Sequence, residues 1–366
     1  MKKKNKGGLT MEIQKKDGML KVEHSSGDSL GDRMKSYEEL STSRQLMPNC
    51  PIYARIDGRA FHTFCRGLKK PYSKAFIEVM QETCKYLVKE TTAVLGYVQS
   101  DEISLGWIDS QHCPFDGRVQ KLESVLASMA SAFFVHYICQ ETPKLKEPQC
   151  CDFDTYEAFD KKLHEFFDFD FDNLHMQKTI YIRPPCFDCR VFNVPSLDEL
   201  ANSFLWREND AIKNSISGMS LHYYSHKELQ GKNSDEKVHM MRMKGYCFFE
   251  DTEEAFLRGT FWHRENYLKA LTDEEVAKIP EKQRENLITK GENSIQTTMK
   301  QGDGQWVELK PNTYYCWRSR IAKMEIPYRL SDIENKVDVL FGGQSAILNK
   351  ENPTFRIAST PLIPEN

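Results

Sequence analysis

A chain of 366 residues, 40% hydrophobic and 28% charged, holds enough apolar material for one large core or two modest ones, which excludes an intrinsically disordered protein. A formal net charge of −3 excludes a protein that coats nucleic acid by bulk charge and leaves room only for a local basic face. Eleven irregularly spaced cysteines in so long a chain read as free, mostly buried thiols rather than a disulfide framework.

Residues 1–29, rich in Lys, Gly and Ser, are expected to form a flexible tail with at most a short strand. The basic start lacks the apolar stretch of a secretion signal, and no apolar run approaches the roughly 20 residues that span a bilayer. A cytoplasmic protein with no membrane partner is expected. From Leu30 to Leu46 the pattern predicts a polar helix, stopped before Pro48 and Pro51. Ile52, Ala54 and Ile56 then alternate as a half-buried strand should, and Asp57-Gly58 ends it.

From Ser73 a helix is predicted, with Phe76, Ile77, Met80, Cys84, Leu87 and Val88 on one stripe. Tyr97–Ser100 and Ile103–Trp107 are β-rich runs separated by Asp101 and Glu102 alone, a hairpin with an acidic tip. A second amphipathic helix follows, its buried face drawn as Leu122, Val125, Leu126, Met129, Phe133 and Ile138. The period-two run Phe167–Asp172 fits a half-buried edge strand or, in the preferred reading, a solvated loop, and strands are expected at 179–183 and 190–194. Ser196 with Glu199 forms a capping box for a helix through Trp206 and Asp210. The order strand, helix, hairpin, helix, strand, helix predicts an α+β, ferredoxin-like βαββαβ domain over 30–260, followed by a helical and mixed extension over 261–366.

Two divalent ions about 4 Å apart need carboxylates gathered from separate strands, with positions left open for phosphate oxygens. In a β-α-β-β sheet the end of the first strand lies beside the hairpin tip, so Asp57 and Asp101 can converge although far apart in sequence. Gly58 lets backbone approach closely and can offer its carbonyl as a further ligand, while Arg59, Ala60, Phe61 and His62 present successive amides to a triphosphate. Phe61 and Phe64 themselves read as core. His62 reads equally well as a solvent-facing helix start or a phosphate contact. Lys69-Lys70, and Arg118 with Lys121 one turn later, are cations at intervals suited to phosphates, or else a solvated face. Arg207 with Lys213, Asn214 and Ser215 makes a polar helical patch suited to a sugar-phosphate backbone. Cys186 and Cys189 have the spacing of half a zinc site without a second pair, and His222 with His226 lacks an intervening Glu, so no zinc is predicted.

Taken together, RIDGRAFHTF at 55–64, YVQSDEISL at 97–105, FDCRVFNVPS at 187–196 and SHKELQGK at 225–232 resemble the tRNA-histidine guanylyltransferase family. LGDRMKSYE at 30–38 and DAIKNSIS at 210–217 look like its bacterial and archaeal-type branch of reverse polymerases. The resemblance implies a polymerase- or cyclase-like palm fold and 3′-to-5′ addition of nucleotides to RNA 5′ ends. By the resemblance, Asp57, the Gly58 carbonyl and Asp101 hold two Mg²⁺. Residues 57–62 with Ser100 and Asp101 bind the nucleotide, and Glu102 is an acidic neighbour needed for activity. Lys70, Arg118 and Lys121 fall at triphosphate contacts. GTP, ATP and tRNA or other RNA 5′ ends are the implied partners, and a homotetramer the implied assembly. Where eukaryotic members carry His-Ile-Asn-Asn, this sequence has Ala211-Ile212-Lys213-Asn214, which favours tRNA 5′-end repair over strict tRNA-histidine selection. The competing readings are a palm-fold nucleotide cyclase or cyclic-oligonucleotide synthase that needs no RNA, and a non-catalytic RNA-binding relative, which would lack the two carboxylates.

Overall fold

The computed structural model of the chain describes residues 13–16, 19–22, 29–109, 113–141, 166–167, 184–284, 287–289, 298–300, 306–310 and 313–349. Within residues 1–29, where at most a short strand is expected, two are described. Strands β1 (Ile13–Lys16) and β2 (Met19–Val22) pair antiparallel, Lys16 opposite Met19. Helix α1 (Ser29–Thr42) stops before Leu46 because the next residues are engaged elsewhere. Leu46 N–H donates to Gly117 O at 2.9 Å, and Arg44 O accepts from Val119 N–H at 3.0 Å.

The period-two segment folds as β3 (Ile52–Gly58). Its even-numbered apolar residues enter one core and Tyr53 enters another on the opposite face. After the short helix α2 (Phe61–Phe64), α3 (Lys74–Glu90) starts at Ser73, whose hydroxyl accepts from Phe76 N–H at 3.3 Å. Phe76, Met80, Cys84, Leu87 and Val88 are buried as expected, with Val79 in place of the half-buried Ile77. Strands β4 (Leu95–Gln99) and β5 (Glu102–Trp107) form the hairpin, and β6 (Phe187–Asn193) starts three residues earlier than its alternation suggested.

Helix α4 (Val119–Glu141) buries Leu122, Leu126, Ala130, Phe134 and Ile138, a stripe of step four. Phe133, expected in that stripe, instead stacks on Tyr86 with ring centroids 4.2 Å apart and ties α4 to α3. The expectation that no segment is long and apolar enough to cross a bilayer is corrected here, since Val119–Gln140 passes by length and composition. In this fold its apolar stripe packs in the core shared by α3, β3, β5 and β6. Phe167 is also corrected: it is 1% exposed and packs against Phe64 and Phe76, so its segment is not wholly a solvated loop. Residues 168–172 and the strand expected at 179–183 lie outside the described residues.

Helix α5 (Leu197–Tyr223) covers the second face, placing Leu200, Ala201 and Phe204 against Tyr53, Leu95 and Tyr97. Ser196 caps it by accepting Glu199 N–H at 3.2 Å, but the carboxylate of Glu199 accepts from Asn202 at 2.9 Å instead of closing a capping box. The chain continues through α6 (Ser234–Met243) and α7 (Glu254–Arg258) to β7 (Thr260–Ala270). It then forms β8 (Ile288–Thr289), a separate pair of β9 (Thr298–Lys300) with β10 (Trp306–Glu308), and β11 (Tyr314–Lys323). The main sheet runs β6-β3-β5-β4-β7-β11-β8, every pair antiparallel. Its first four strands have the order of a split β-α-β unit, and β7 pairs directly with β4, so the sheet continues without a break across position 260.

Candidate functional site

The strand directions bring one set of loops to one end of the sheet. Strand β3 leaves there at Asp57-Gly58, the β4–β5 turn lies beside it, and β6 enters there at Phe187. Gly58 N–H donates to Asp101 O at 2.9 Å and Arg59 N–H to Cys186 O at 2.8 Å, which pins the three elements together. Gly58 is required at this joint because a Cβ there would meet the Phe61 ring at 2.5 Å.

The hairpin turn is tighter than the sequence suggested. Gln99 pairs with Glu102, leaving Ser100 and Asp101 as a two-residue turn with Ser100 at φ +47°. Glu102 is therefore not part of the tip but the first residue of β5. Register puts Asp188, Asp57, Glu102 and Gln99 side by side across four strands, with Arg190, Arg55, Ser104 and Tyr97 in the next row on the same face. Asp188 and Arg55 were not singled out in the sequence. Asp188 became legible as a neighbour of Asp57 only once β6 was seen to begin at Phe187.

Burial raises the pKa of the Asp101 carboxyl, and the negative charge of Asp57 pushes the same way; its own amide, the Ser100 hydroxyl and His62 oppose them. Two carboxylates that repel across a shared joint, next to a main-chain carbonyl at Gly58, form a hard-oxygen donor set suited to a divalent cation. Among the described residues no group of three or more His, Cys, Asp or Glu side chains is arranged to hold a metal, so any ion here relies on these two carboxylates and backbone or substrate oxygens. Cys186 is exposed, while burial holds the Cys189 thiol far above its usual range. His222 lies in the last turn of α5 and His226 begins a separate turn.

Glu102 faces inward. Arg207 of α5 donates to it from Nε at 2.5 Å and Arg55 approaches at 3.8 Å, while Asp210 accepts from the other side of Arg207 at 2.8 Å. This corrects Arg207 as an RNA-facing residue: it is buried, and its donors serve two carboxylates. Trp206, about half exposed, lies against both guanidinium groups at 4.6 and 5.6 Å. Lys213 and Asn214 are exposed one to two turns further along α5, Asn214 bonded to Asp210 at 3.2 Å.

Phe61 is 2% exposed within a cluster of Phe64, Phe76, Phe134 and Phe187, so its side chain builds the core rather than a nucleotide pocket. The amides of Gly58 and Arg59 are engaged, which narrows a phosphate cradle to residues 60–62, with Ala60 at φ +57° and His62 exposed. Lys70 is exposed near this end, and its charge and that of Asp101 both act on the Cys65 thiol, which burial pushes up to about 12. Arg118 and Lys121 are not brought to the carboxylates. They gather on Phe115, Arg118 Nε donating to its carbonyl at 3.4 Å and Lys121 lying 4.8 Å from its ring. That corner is tied to Leu46, and Met47 is held by Asn193 opposite Ile52, at the far end of β3, a strand about 20 Å long.

Comparison with known proteins gives these positions a context. The family model for tRNAHis guanylyltransferase matches residues 31–195. An uncharacterised protein of Acanthamoeba polyphaga mimivirus is 24% identical over 61% of this chain and 73% of its own. The tRNA(His) guanylyltransferase of Schizosaccharomyces pombe is 25% identical over 63% of this chain and 79% of its own. A solved bacterial tRNA(His) guanylyltransferase-like protein in complex with ATP aligns with 33% identity over 64% of this chain and 88% of its own, at a TM-score of 0.49.

Proposed function

We propose that the chain, whose residues 31–195 match the family model for tRNAHis guanylyltransferase, is a nucleotidyltransferase of that family and adds nucleotides to RNA 5′ ends in the 3′-to-5′ direction on a palm-type sheet. The observation that carries the reading is the joint at which the Asp57 strand end and the Asp101 turn meet through the Gly58–Asp101 hydrogen bond. Two Mg²⁺ held by Asp57, Asp101 and the Gly58 carbonyl would neutralise phosphate charge and favour ionisation of the attacking hydroxyl.

The protein's own part is binding and alignment. Asp57 and Asp101 would hold the cation, which would supply positive charge for the reacting phosphate, and Lys70 offers charge to a triphosphate on the same end. Glu102 acts as a positioning residue that holds β5 to α5 through Arg207. A 5′-monophosphate RNA is first joined to the AMP of ATP, releasing pyrophosphate. The 3′-hydroxyl of GTP then attacks that phosphorus, the new phosphodiester forms, and AMP leaves. The exposed pair Lys213 and Asn214 is suited to the RNA backbone. Ala211 and Lys213, where eukaryotic relatives carry His and Asn, favour repair of truncated tRNA over strict tRNA-histidine selection. The proposal extends to a homotetramer, in which Arg118 and Lys121, remote from the carboxylates of their own chain, face RNA seated on another copy.

The test is incubation with Mg²⁺, ATP, labelled GTP and a tRNA lacking its first 5′ nucleotide, beside an Asp101→Ala variant. Templated 5′ addition that disappears in the variant supports the proposal. Metal-dependent nucleotide turnover with unchanged RNA replaces it with a cyclase-like activity.

A further inference from the structure

A cleft of about 430 Å³ opens where the second half of α3 and Phe133 of α4 meet strands β7 and β11. It is remote from the carboxylates on two counts. Arg264, in its wall, stands just past the pairing of His263 with Leu95, where β4 begins, whereas Asp101 follows the other end of that strand. Arg264 also shares a sheet face with Trp262, which packs in the core of α3 and α4, while Asp57 shares the opposite face with Tyr53. Arg264 and Ser319 lie beyond the residues 31–195 that match the family model, so the cleft joins a family segment to the C-terminal extension.

Its walls carry four cations, Lys85, Lys89, Arg264 and Arg320, against one carboxylate, Glu82. Three of the cations are answered: Lys85 by Glu82 at 2.6 Å, Lys89 by Glu90 at 3.8 Å and Arg320 by Glu265. Arg264 has no carboxylate within ion-pair distance among the described residues. Main-chain carbonyls fix it instead, its Nη2 donating to Val88 O at 3.0 Å and to Lys89 O at 2.8 Å at the end of α3. Its Nε is buried without an acceptor, and Nη1 reaches only the Ser319 hydroxyl, at 3.5 Å. Capping α3 therefore accounts for Nη2 alone. A half-buried guanidinium held in place without a counter-charge is preorganised for an anion. Lys89 favours a dianion there, because its side chain is 71% exposed and its own pairing is long and weak. Glu82 does not oppose one, being neutralised by Lys85. The rest of the lining is apolar, with the Tyr86 and Phe133 rings stacked at 4.2 Å, and the volume is that of a small-ligand site.

We infer that this cleft binds a small phosphate monoester, its phosphate at Arg264, Ser319 and Lys89 and its organic body against Tyr86 and Phe133. Such a ligand bridges α3 to β11 and so favours the docked extension. The inference goes beyond the 5′-addition reading and does not depend on it.

The experiment uses the full chain without nucleotide, RNA or divalent metal, and titrates phenyl phosphate and inorganic phosphate by calorimetry. Phenyl phosphate is expected to saturate one site at least about tenfold more tightly than inorganic phosphate, the difference reporting the aromatic wall. Ser319→Glu, a change at an exposed strand position, sets a carboxylate beside Arg264. It is expected to abolish binding and to raise the melting temperature of the free protein by about 1–2 °C. Lys89→Gln, also exposed, is expected to weaken binding about three- to tenfold. A readout that needs no variant is modification by phenylglyoxal, which phenyl phosphate is expected to slow at Arg264 in the parent. The inference is overturned if phenyl phosphate does not saturate, or if Arg264 is unprotected and Ser319→Glu or Lys89→Gln binds as the parent does, which would place the anion elsewhere. It is overturned in favour of an RNA surface if a single-stranded oligoribonucleotide displaces phenyl phosphate at a lower phosphate concentration than inorganic phosphate requires.

Discussion

Arg207 donates to Glu102 across the contact between α5 and the sheet, with the two side chains 9% and 6% exposed, one residue beyond the Asp101 turn. Burial raises the pKa of the Glu102 carboxyl, and Arg207 and then Arg55 oppose that shift. Arg207→Met removes the main partner and leaves a buried charge, at a cost of about 3–5 kcal/mol. The sign with pH follows from the direction of the shift. A carboxyl whose folded pKa is raised favours the folded state when protonated, and that contribution is lost as pH rises through the raised value. Without Arg207 the rise is larger. The variant is therefore expected to lose most stability near neutral pH and much less near about pH 4.5, close to the ordinary carboxylate range. Urea unfolding of parent and variant at both pH values checks this, and an equal loss at each would contradict it.

Asp57 and Asp101 oppose each other electrostatically, since the Asp57 charge is among the causes that raise the Asp101 carboxyl. A site of this kind is held at some expense of stability. Asp101→Asn removes the repulsion and is expected to leave the melting temperature unchanged or raise it by about 1–3 °C, while abolishing 5′ addition. Added Mg²⁺ should raise the melting temperature of the parent but not of the variant. Calorimetry with and without the ion reads both effects, and an equal magnesium response in the two proteins would place the cation elsewhere.

The central strands and helices were legible because their signals are local. Ile52, Ala54 and Ile56 announce a strand, and the spacing from Phe76 to Val88 announces a helix, without knowledge of partners. The convergence of Asp57 and Asp101 was legible because the β-α-β-β order dictates it. Arg207 was not, since an arginine on a polar helix face reads as surface until Glu102 is seen beneath it. Glu102 was misplaced because a two-residue turn depends on Ser100 adopting positive φ, which sequence pattern does not reveal. Strand β7 was obscured by His263, Arg264 and Glu265. In the fold these are matched locally: Arg264 donates to Val88 O and Lys89 O at the end of α3, and Glu265 pairs with Arg320. Arg118 stands just before α4 and Lys121 in its first turn, but nothing in their spacing says which end of the sheet that helix starts from.

The C-terminal segment is joined to α5 by a second buried pair. Arg258, 1% exposed, donates to Glu208 at 2.7 Å and to the carbonyls of Ile326 and Tyr328, while the other Glu208 oxygen accepts from Leu330 N–H at 2.8 Å. Glu208 follows Arg207 directly, so adjacent residues of one helix hold the candidate site and the extension. Arg258→Met leaves Glu208 buried without its cation and is expected to cost about 3–5 kcal/mol, with residues 326–330 released. By contrast, Lys232→Ala breaks an exposed pair with Glu236 and should leave stability unchanged. Unfolding curves compare the two variants, and protease cleavage within 326–330 in Arg258→Met alone would show that the extension is held by this pair.

Gly58 offers the sharpest test of the joint itself. An added Cβ would stand 2.5 Å from Cδ2 and 2.6 Å from Cγ of Phe61. That ring cannot swing away freely, because Phe64, Phe134 and Phe187 pack around it with centroids 5.0–5.8 Å distant. Gly58→Ala must therefore push the end of β3 outward, which strains the hydrogen bond to Asp101 O and separates the carboxylates that the proposed reaction needs together. A loss of about 1–3 kcal/mol in stability is expected from overpacking, with 5′ addition reduced far more than that loss of folded protein would explain. The double variant Gly58→Ala, Phe61→Leu makes room for the methyl group and should recover part of the activity. Single-turnover rates at saturating GTP, measured where all three proteins are fully folded, distinguish the two possibilities. Partial recovery in the double variant assigns the defect to displacement of the strand end, whereas a double variant no better than Gly58→Ala would mean that the ring contact is not what sets the position of Asp57.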